Sequence, residues 1–321
     1  MNHPLLNVVV ARRCDEALDI ASFELASENA EPLPAFDAGS HVDVHLPNGL
    51  VRQYSLCNDP RETHRYLIAV LCDEAGRGGS KAVHELVREG DRLQISAPRN
   101  HFALADDAAH HLLLAGGIGV TPILCMAERL AATGASFEMH YCTRSKERTA
   151  FVERLAQASF AQSVQLHHDD HPGGSTFDIE QVLSRAPAGT HLYVCGPRGF
   201  MDFVLETARA KGWPDSRLHY EFFGAPADQT AAGGSFQVRI ASSGATIDVP
   251  AQCTVVQALA AHGVEVITSC EQGVCGTCLT RVLSGEPDHL DSYLTDEERA
   301  ANDQFLPCCS RAKSPLLLLD L

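Results

Sequence analysis

The stretch CEQGVCGTC, residues 270–278, sets three cysteines in nine positions with two glycines between them. Its spacing is Cys-x4-Cys-x2-Cys, and QFLPCCSRA supplies Cys308 and Cys309 after an interval of twenty-nine residues. Three closely spaced thiolates and one distant partner form the ligand pattern of a plant-type [2Fe–2S] centre. One loop wraps the cluster and the fourth sulfur closes it from the far side. Gly273 and Gly276 suit such a loop, which needs positive φ angles and close approach of backbone to sulfur. A structural zinc site would pair its cysteines two and two. A disulfide framework would suit a small secreted domain, and no N-terminal signal segment is evident here. The iron–sulfur reading therefore stands ahead of both. Of the adjacent pair, spacing favours Cys308 as the ligand and leaves Cys309 a buried neighbour.

Outward from that loop, the 321 residues have room for two or three domains with cores of their own. No apolar run approaches the roughly 20 residues of a membrane span, so no membrane partner and a cytoplasmic location are expected. The net charge of −16 argues against nucleic acid. Residues 226–321 carry twelve acidic against five basic side chains, a skew that serves solubility and could also steer a basic partner. Of twelve cysteines only the last five have ligand-like spacing. The others read as small buried hydrophobes in a reducing compartment.

FFGAPADQTAAGGSF, residues 222–236, is rich in Ala and Gly without periodicity and reads as an interdomain linker. After it, SFQVRIASSGATIDVP predicts two strands about a Ser-Gly turn and TVVQALAAHG a helix, leading into the cysteine loop. At the other end HVDVHL, VRQYSL, RYLIAVL and DRLQIS predict short strands of an antiparallel β-barrel. Between the two, strands and helices alternate, which predicts an α/β parallel-sheet domain. The expected boundaries are a barrel over 1–105, a nucleotide domain over 106–225, a linker over 226–235 and an α+β domain over 236–321.

In HHLLLAGGIGVTPILCMAERLAATG a buried strand enters a glycine loop and then a helix, with Thr121 predicted as N-cap and Pro122 as the first helical residue. Gly116, Gly117 and Gly119 would let a pyrophosphate approach the backbone at that helix start. The pattern departs from G-x-G-x-x-G, because Pro122 stands where the third glycine would. A second strand ends in Cys195-Gly196-Pro197 before another helix. Two such ends in one parallel sheet make the crevice where nucleotides bind. In the barrel, Arg52 and Tyr54 share one strand face, Gln53 and Ser55 the other. A cation, an aromatic ring and a hydroxyl suit a phosphorylated ring cofactor. GRGGSKAVHEL adds Gly78, Gly79 and Ser80 ahead of a helix as a second phosphate cradle. Together, these residues favour a flavin.

RQYSL, GRGGS, GGIGVTPI, YVCGP and CEQGVCGTC…PCC occur here in the order of the phthalate dioxygenase reductase family. The chain resembles that family over essentially its whole length, with the reductases of aromatic O-demethylases as the nearest branch. The resemblance implies an FMN barrel, an NADH domain of the ferredoxin–NADP reductase type and a C-terminal plant-type ferredoxin domain. FMN rather than FAD is implied by the resemblance and by no single residue. It further implies flavin contacts at Arg52, Tyr54 and Ser55, with Gly79 and Ser80 near the phosphate. Gly117 and Thr121 would lie by the pyrophosphate, Cys195 near the nicotinamide, and an aromatic of EFFG, Phe223, by the flavin. The ferredoxin ligands correspond to Cys270, Cys275, Cys278 and Cys308.

The order has a physical logic. NADH gives up two electrons as hydride, a [2Fe–2S] cluster accepts one, and a flavin handles both. HHDDH, residues 167–171, lacks the helical pairing of a 2-His-1-carboxylate iron site and reads as a solvated turn. Oxygen chemistry therefore belongs to a partner, and the resemblance makes that partner a Rieske-type oxygenase receiving electrons from a monomeric reductase. Two other functions fit parts of the pattern: a stand-alone NADH oxidase or flavin reductase, and a non-enzyme redox-sensing or zinc-stabilised interaction module. Arg144, Lys146 and Arg148 in YCTRSKER could meet a 2′-phosphate and keep NADPH in view, although the resemblance points to NADH.

Overall fold

Side chains that alternate between the inside and the outside of a pleated strand build the first hundred residues. The elements are β1 (Leu6–Ala17), β2 (Ile20–Ser27), β3 (Ser40–His45), β4 (Val51–Ser55), β5 (Arg65–Leu71), α1 (Gly79–Leu86), β6 (Arg92–Ile95) and the two-residue β7 (Arg99–Asn100). The computed structural model describes residues 5–321 apart from Ala30, Ala75, Arg77, 171–176, 224–233, Ser269, Cys270, Gln272, Cys275 and Ser292, and only the backbone of Asp296. The strands run antiparallel in the order β4-β3-β6-β1-β2-β5, with β7 on β3. A bridge between Leu56 and Ile68 joins the two ends of that order, closing the expected barrel. Closure leaves no open edge to pair with another chain. Phe23, Leu25, Leu56, Tyr66 and Ile68 fill the interior, each aliphatic or Phe side chain contributing roughly 1.5–3 kcal/mol by leaving water.

Strands β1 and β2 carry the longest pairing in the barrel, and β1 keeps no single inside–outside alternation along its length. Its register shifts between Val10 and Arg12 and again between Asp15 and Ala17. Each bulge moves the following side chains to the opposite face, so Arg12, Arg13, Asp15 and Glu16 do not follow a period of two.

The next segment alternates as expected: β8 (His110–Gly116), α2 (Val120–Thr133), β9 (Phe137–Thr143), α3 (Val152–Gln157), β10 (Val164–His168), α4 (Ile179–Arg185), β11 (Thr190–Cys195), α5 (Arg198–Ala210) and β12 (Leu218–Glu221). Its sheet is wholly parallel in the order β10-β9-β8-β11-β12. The chain order reverses between β8 and β11, so the crevice of an open α/β sheet lies at the carboxyl ends of those two strands. One buried apolar cluster runs from Val8 to Cys195, and barrel and sheet together form a compact unit, Met1–Glu221.

The second unit, Phe222–Leu321, holds β13 (Phe236–Ile240), β14 (Thr246–Val249), α6 (Val255–Ala261), β15 (Thr280–Ser284), β16 (Pro287–Asp288), α7 (Asp296–Ala301), β17 (Gln304–Phe305), β18 (Arg311–Ala312) and β19 (Leu316–Leu319). The main sheet runs β14-β13-β19-β15-β17, and the final strand β19 lies parallel to β13. Gly244 turns β13 into β14 at φ +71°, as the Ser-Gly pair predicts. Capping boxes at Thr254/Gln257 and Thr295/Glu298 start α6 and α7, each satisfying two backbone donors that a helix start leaves open. No helix among the described residues is long and apolar enough to cross a membrane.

One local expectation is overturned. Thr121 is not the N-cap of α2, nor Pro122 its first residue. Gly117–Gly119 form a 3-10 turn, Gly119 occupies the cap position, and the Thr121 hydroxyl donates back to the Ile118 carbonyl at 3.1 Å. Pro122 still lies in the first turn, where its missing N–H removes no intrahelical bond.

Candidate functional site

The crevice between β8 and β11 is defined by what cannot fit there. A Cβ on Gly119 would overlap the Cys195 carbonyl, and one on Gly196 would stand 2.9 Å from the Gly116 Cα. One on Gly116 would stand 2.8 Å from Phe200 and 2.9 Å from Pro197. The two strand ends therefore meet backbone to backbone, and only glycine permits that approach. Gly117 adds a left-handed φ of +52°. The N-terminus of α2, with its unpaired N–H groups, opens beside them. Cys195 is fully buried, and burial pushes its thiol well above the ordinary range, so it is present as the neutral thiol.

On the barrel side, the Arg52 side chain lies against Gly79, where any Cβ would overlap its guanidinium; Arg52 Nη1 also donates to the Val51 carbonyl at 2.8 Å. Arg52 thus stands at the N-terminus of α1, just after Gly78 turns the chain at φ +78°. Ser80 lies inside α1 rather than ahead of it. Its hydroxyl accepts from the Asp73 N–H at 3.1 Å, bracing the loop that leads into the helix. Burial pushes the Tyr54 phenol up, against a smaller opposing pull from Arg52. Gln53 Nε2 and both ring nitrogens of His41 are buried with no hydrogen-bond partner among the described residues. Buried polar atoms left open are costly. Here they line the strand pair β3–β4, where a ring cofactor with polar edges would satisfy them, so these residues fit a flavin.

Two residues that sequence reasoning missed complete this side. Ser55 Oγ donates to Glu221 Oε2 at 3.3 Å, and His41 Nδ1 lies 3.9 Å from Glu221 Oε1. Glu221 is the last residue of β12 and pairs in register with Cys195. Burial raises its carboxyl to about 7, with the Ser55 bond opposing. His41 is lowered to about 3 by burial first and then by His101 and Arg99, so it is neutral and its contact with Glu221 is no ion pair. The only signal for Glu221 was its place before the aromatics of EFFG. His41 had none, because it reaches the site from β3.

Those shifts give a stability test. The folded chain keeps the Glu221 proton up to about pH 7, whereas the unfolded chain loses it near the ordinary 4.5. Stability from this group is therefore present below 4.5 and lost as pH rises to 7. His41 acts oppositely between about 3 and 6.5, where the unfolded chain binds the extra proton. In flavin-free protein, the wild-type minus Glu221→Gln stability difference should fall by about 3 kcal/mol between pH 4.5 and 7.5. Urea unfolding at several pH values measures it. A flat difference would show that folding imposes no penalty on the Glu221 charge.

In the second unit Cys278 and Cys308 are buried in one cluster with Leu294 and Leu306. Hydrogen bonds from Cys278, then Cys309, then the Gly273 N–H pull the Cys308 thiol down toward thiolate, the form that binds iron. Gly273 and Gly276 have φ of +70° and +68°, and a Cβ on either would overlap Cys309 Sγ or the Tyr293 ring. A buried pair of cysteine sulfurs inside a shell packed to the backbone fits a [2Fe–2S] cluster. Cys270 and Cys275 lie outside the described residues. Phe223 is the second residue of the second unit, with its ring exposed. Within HHDDH, His167 hydrogen-bonds to His140 and His168 to Thr143, while His171 lies outside the described residues; Arg148 pairs with Asp19 at 3.3 Å.

A barrel with open buried polar atoms on β3–β4, a parallel sheet with a nucleotide crevice and a second unit with a buried cysteine pair together define the class of iron–sulfur flavoprotein oxidoreductases. Residues 238–313 match the 2Fe-2S iron-sulfur cluster binding domain, and residues 94–218 match the N-terminal domain of dimethylamine monooxygenase subunit DmmA-like proteins. Vanillate O-demethylase oxidoreductase of Pseudomonas putida is 57% identical over 99% of this chain and 100% of its own. Phthalate dioxygenase reductase of Burkholderia cepacia is 42% identical over 98% and 97%. A solved phthalate dioxygenase reductase, described as a modular structure for electron transfer from pyridine nucleotides to [2Fe–2S], superposes with a TM-score of 0.77 at 41% identity, covering 99% of this chain and 98% of that one. The chain belongs to the phthalate dioxygenase reductase family, with FMN, NADH and a [2Fe–2S] cluster as its cofactors.

Proposed function

We propose that the chain is the reductase component of a Rieske-type oxygenase that demethylates a methoxylated aromatic acid of the vanillate class. The full-length 57% identity to a vanillate O-demethylase oxidoreductase carries this reading. Bound flavin supplies the conversion of a hydride into single electrons. On this reading Arg52 and the Gly78–Gly79–Ser80 start of α1 hold its phosphate, while Gln53, Tyr54 and Ser55 line its ring. Gly116, Gly117, Gly119, Thr121 and Pro122 receive the dinucleotide pyrophosphate; Cys195, Gly196 and Pro197 bound the nicotinamide; Phe223 is the aromatic that the family resemblance assigns to the flavin. Ser55 orients Glu221, which holds a proton near neutral pH at the barrel side of the crevice. Cys270, Cys275, Cys278 and Cys308 ligate the cluster. The stand-alone oxidase alternative leaves the ligand set in the second unit without a purpose.

The test mixes the purified protein with a vanillate-demethylating Rieske oxygenase and measures NADH oxidation. The expected result is NADH oxidation that depends on both the oxygenase and vanillate and releases one formaldehyde per demethylated product. Full activity toward ferricyanide, with no acceleration by any combination of oxygenase and vanillate, would refute the partner.

A further inference from the structure

One buried carboxylate links the turn carrying Cys308 to two other segments of the second unit. Asp291 has a fully buried side chain. Its Oδ2 accepts from the Tyr293 and Leu294 N–H groups at 3.1 and 2.8 Å, and its Oδ1 accepts from the Ser310 hydroxyl at 3.4 Å. Ser310 closes the 306–310 turn, in which its own N–H and that of Cys309 donate to the Leu306 carbonyl at 2.9 and 3.2 Å. Its hydroxyl also accepts from the Leu290 N–H at 3.2 Å. On the other side, the Asp291 backbone presses on the cysteine loop, since a Cβ on Gly273 would stand 2.9 Å from the Asp291 Cα. Tyr293, two residues on, packs over Gly276 in the same loop. Three segments therefore meet at Asp291: the cysteine loop, the 291–294 turn and the 306–310 turn.

A carboxylate is more than this geometry requires. An asparagine could accept the same backbone bonds, and buried charge is expensive unless it is paired. The pairing here is incomplete. Arg299 Nη2 donates to the Asp291 carbonyl oxygen at 2.8 Å, but lies 3.9 Å from the Oδ2 carboxylate oxygen. His289 Nδ1 is 3.8 Å from Oδ1. A negative charge held this close to the ligand turn, away from screening water, opposes the arrival of an electron. Reduction potentials of iron–sulfur clusters respond to nearby charge and to hydrogen bonding around the sulfurs.

We propose that Asp291 is a positioning residue for the cluster that locks the Cys308 turn against the cysteine loop and, through its charge, holds the cluster's reduction potential low, with Arg299 as the opposing charge. This rests on the ligand assignment given above. The test uses the full-length holoprotein, with iron content and the cluster's EPR signal followed in a redox titration. Wild type must show one [2Fe–2S] signal per chain, and its absence would sink the ligand assignment itself.

Asp291→Asn should keep its iron and raise the ratio of reduced to oxidised cluster about tenfold at a fixed solution potential, about 59 mV for one electron. Arg299→Gln should move the ratio the other way. Asp248→Asn, on the exposed face of β14, should leave it unchanged because solvent screens it. Opposite signs at Asp291 and Arg299 are the signature of charge, since mere loosening of the shell would shift both in one direction. An unchanged ratio in an iron-replete Asp291→Asn protein would overturn the proposal, as would equal signs. If Asp291→Asn loses its iron, Arg299→Gln decides alone: a lower reduced fraction supports the proposal and no shift overturns it.

Discussion

Cys308→Ser should bleach the visible absorption of the cluster and reduce one-electron output to background, while Cys309→Ser leaves both close to wild type. The two residues are adjacent, but the turn presents them differently. Cys308 is buried with Cys278 in the small apolar cluster of Leu294 and Leu306. Cys309 is only partly buried and packs against the edge of that cluster: its Sγ lies 3.7 Å from the Leu306 carbonyl and 3.8 Å from the Ser310 hydroxyl, and it fills the space that a side chain on Gly273 would need. Serine at 308 replaces a soft thiolate by a harder, less acidic oxygen at the point that closes the cluster. On the proposed assignment, serine at 309 keeps a small polar group at a position outside the ligand set. NADH-driven reduction of the flavin should be normal in both, since neither substitution touches the first unit. Absorption spectra, iron counts and cytochrome c reduction read the result. Loss of the cluster in Cys309→Ser with retention in Cys308→Ser would reverse the assignment.

The contrast between such residues and those found only in the structure follows from how far apart in the chain the partners lie. The proposed cluster ligands are legible because three of the four fall within nine residues and their spacing is itself the chemistry. Gly116, Gly119 and Gly196 are legible for a similar reason: each sits where a strand hands over to a helix, and the need for backbone approach shows as glycine. Glu221 and His41 are separated by most of the first unit, and nothing in either neighbourhood announces the other. Closure of the barrel onto the sheet makes the site, by bringing β3, β4 and β12 together. Asp291 was silent as well, since an aspartate beside a serine looks like any turn.

Local irregularity hid one strand, β1, for which no expectation was stated, and displaced the expected start of α2. The paired bulges of β1 destroyed the alternation that made β3, β4, β5 and β6 readable, although β1 has two partners in the barrel. At α2 the cap rule chose Thr121 because threonine is a good cap, but a 3-10 turn displaced the helix start by tightening the glycine run ahead of it. In both places a feature only a few residues long changes the local geometry and leaves the fold intact.

A chain ending at Phe223 tests the electron path as a whole. It retains all of the unit Met1–Glu221, whose apolar cluster runs unbroken from the barrel into the parallel sheet, together with the Phe223 side chain. It loses every cluster ligand and none of the residues assigned to FMN or NADH. The fragment should therefore fold, bind one FMN, and be yellow where the full chain is brown. Ferricyanide reduction by NADH should persist near the full-length rate, because a small acceptor can take electrons directly from a flavin. Turnover of the oxygenase should fall to background, because the flavin would have to discharge its electrons without the cluster that delivers them one at a time. The separate unit starting at Phe222 has its own core of Phe236, Val238, Ile247, Leu259, Phe305 and Leu317, so adding it back as a second polypeptide provides a control for damage to the fragment. Partial recovery of oxygenase turnover would mark the loss as one of electron delivery. Full-rate turnover by the fragment alone would place the cluster off the path, and the function read from the cysteine loop would be wrong.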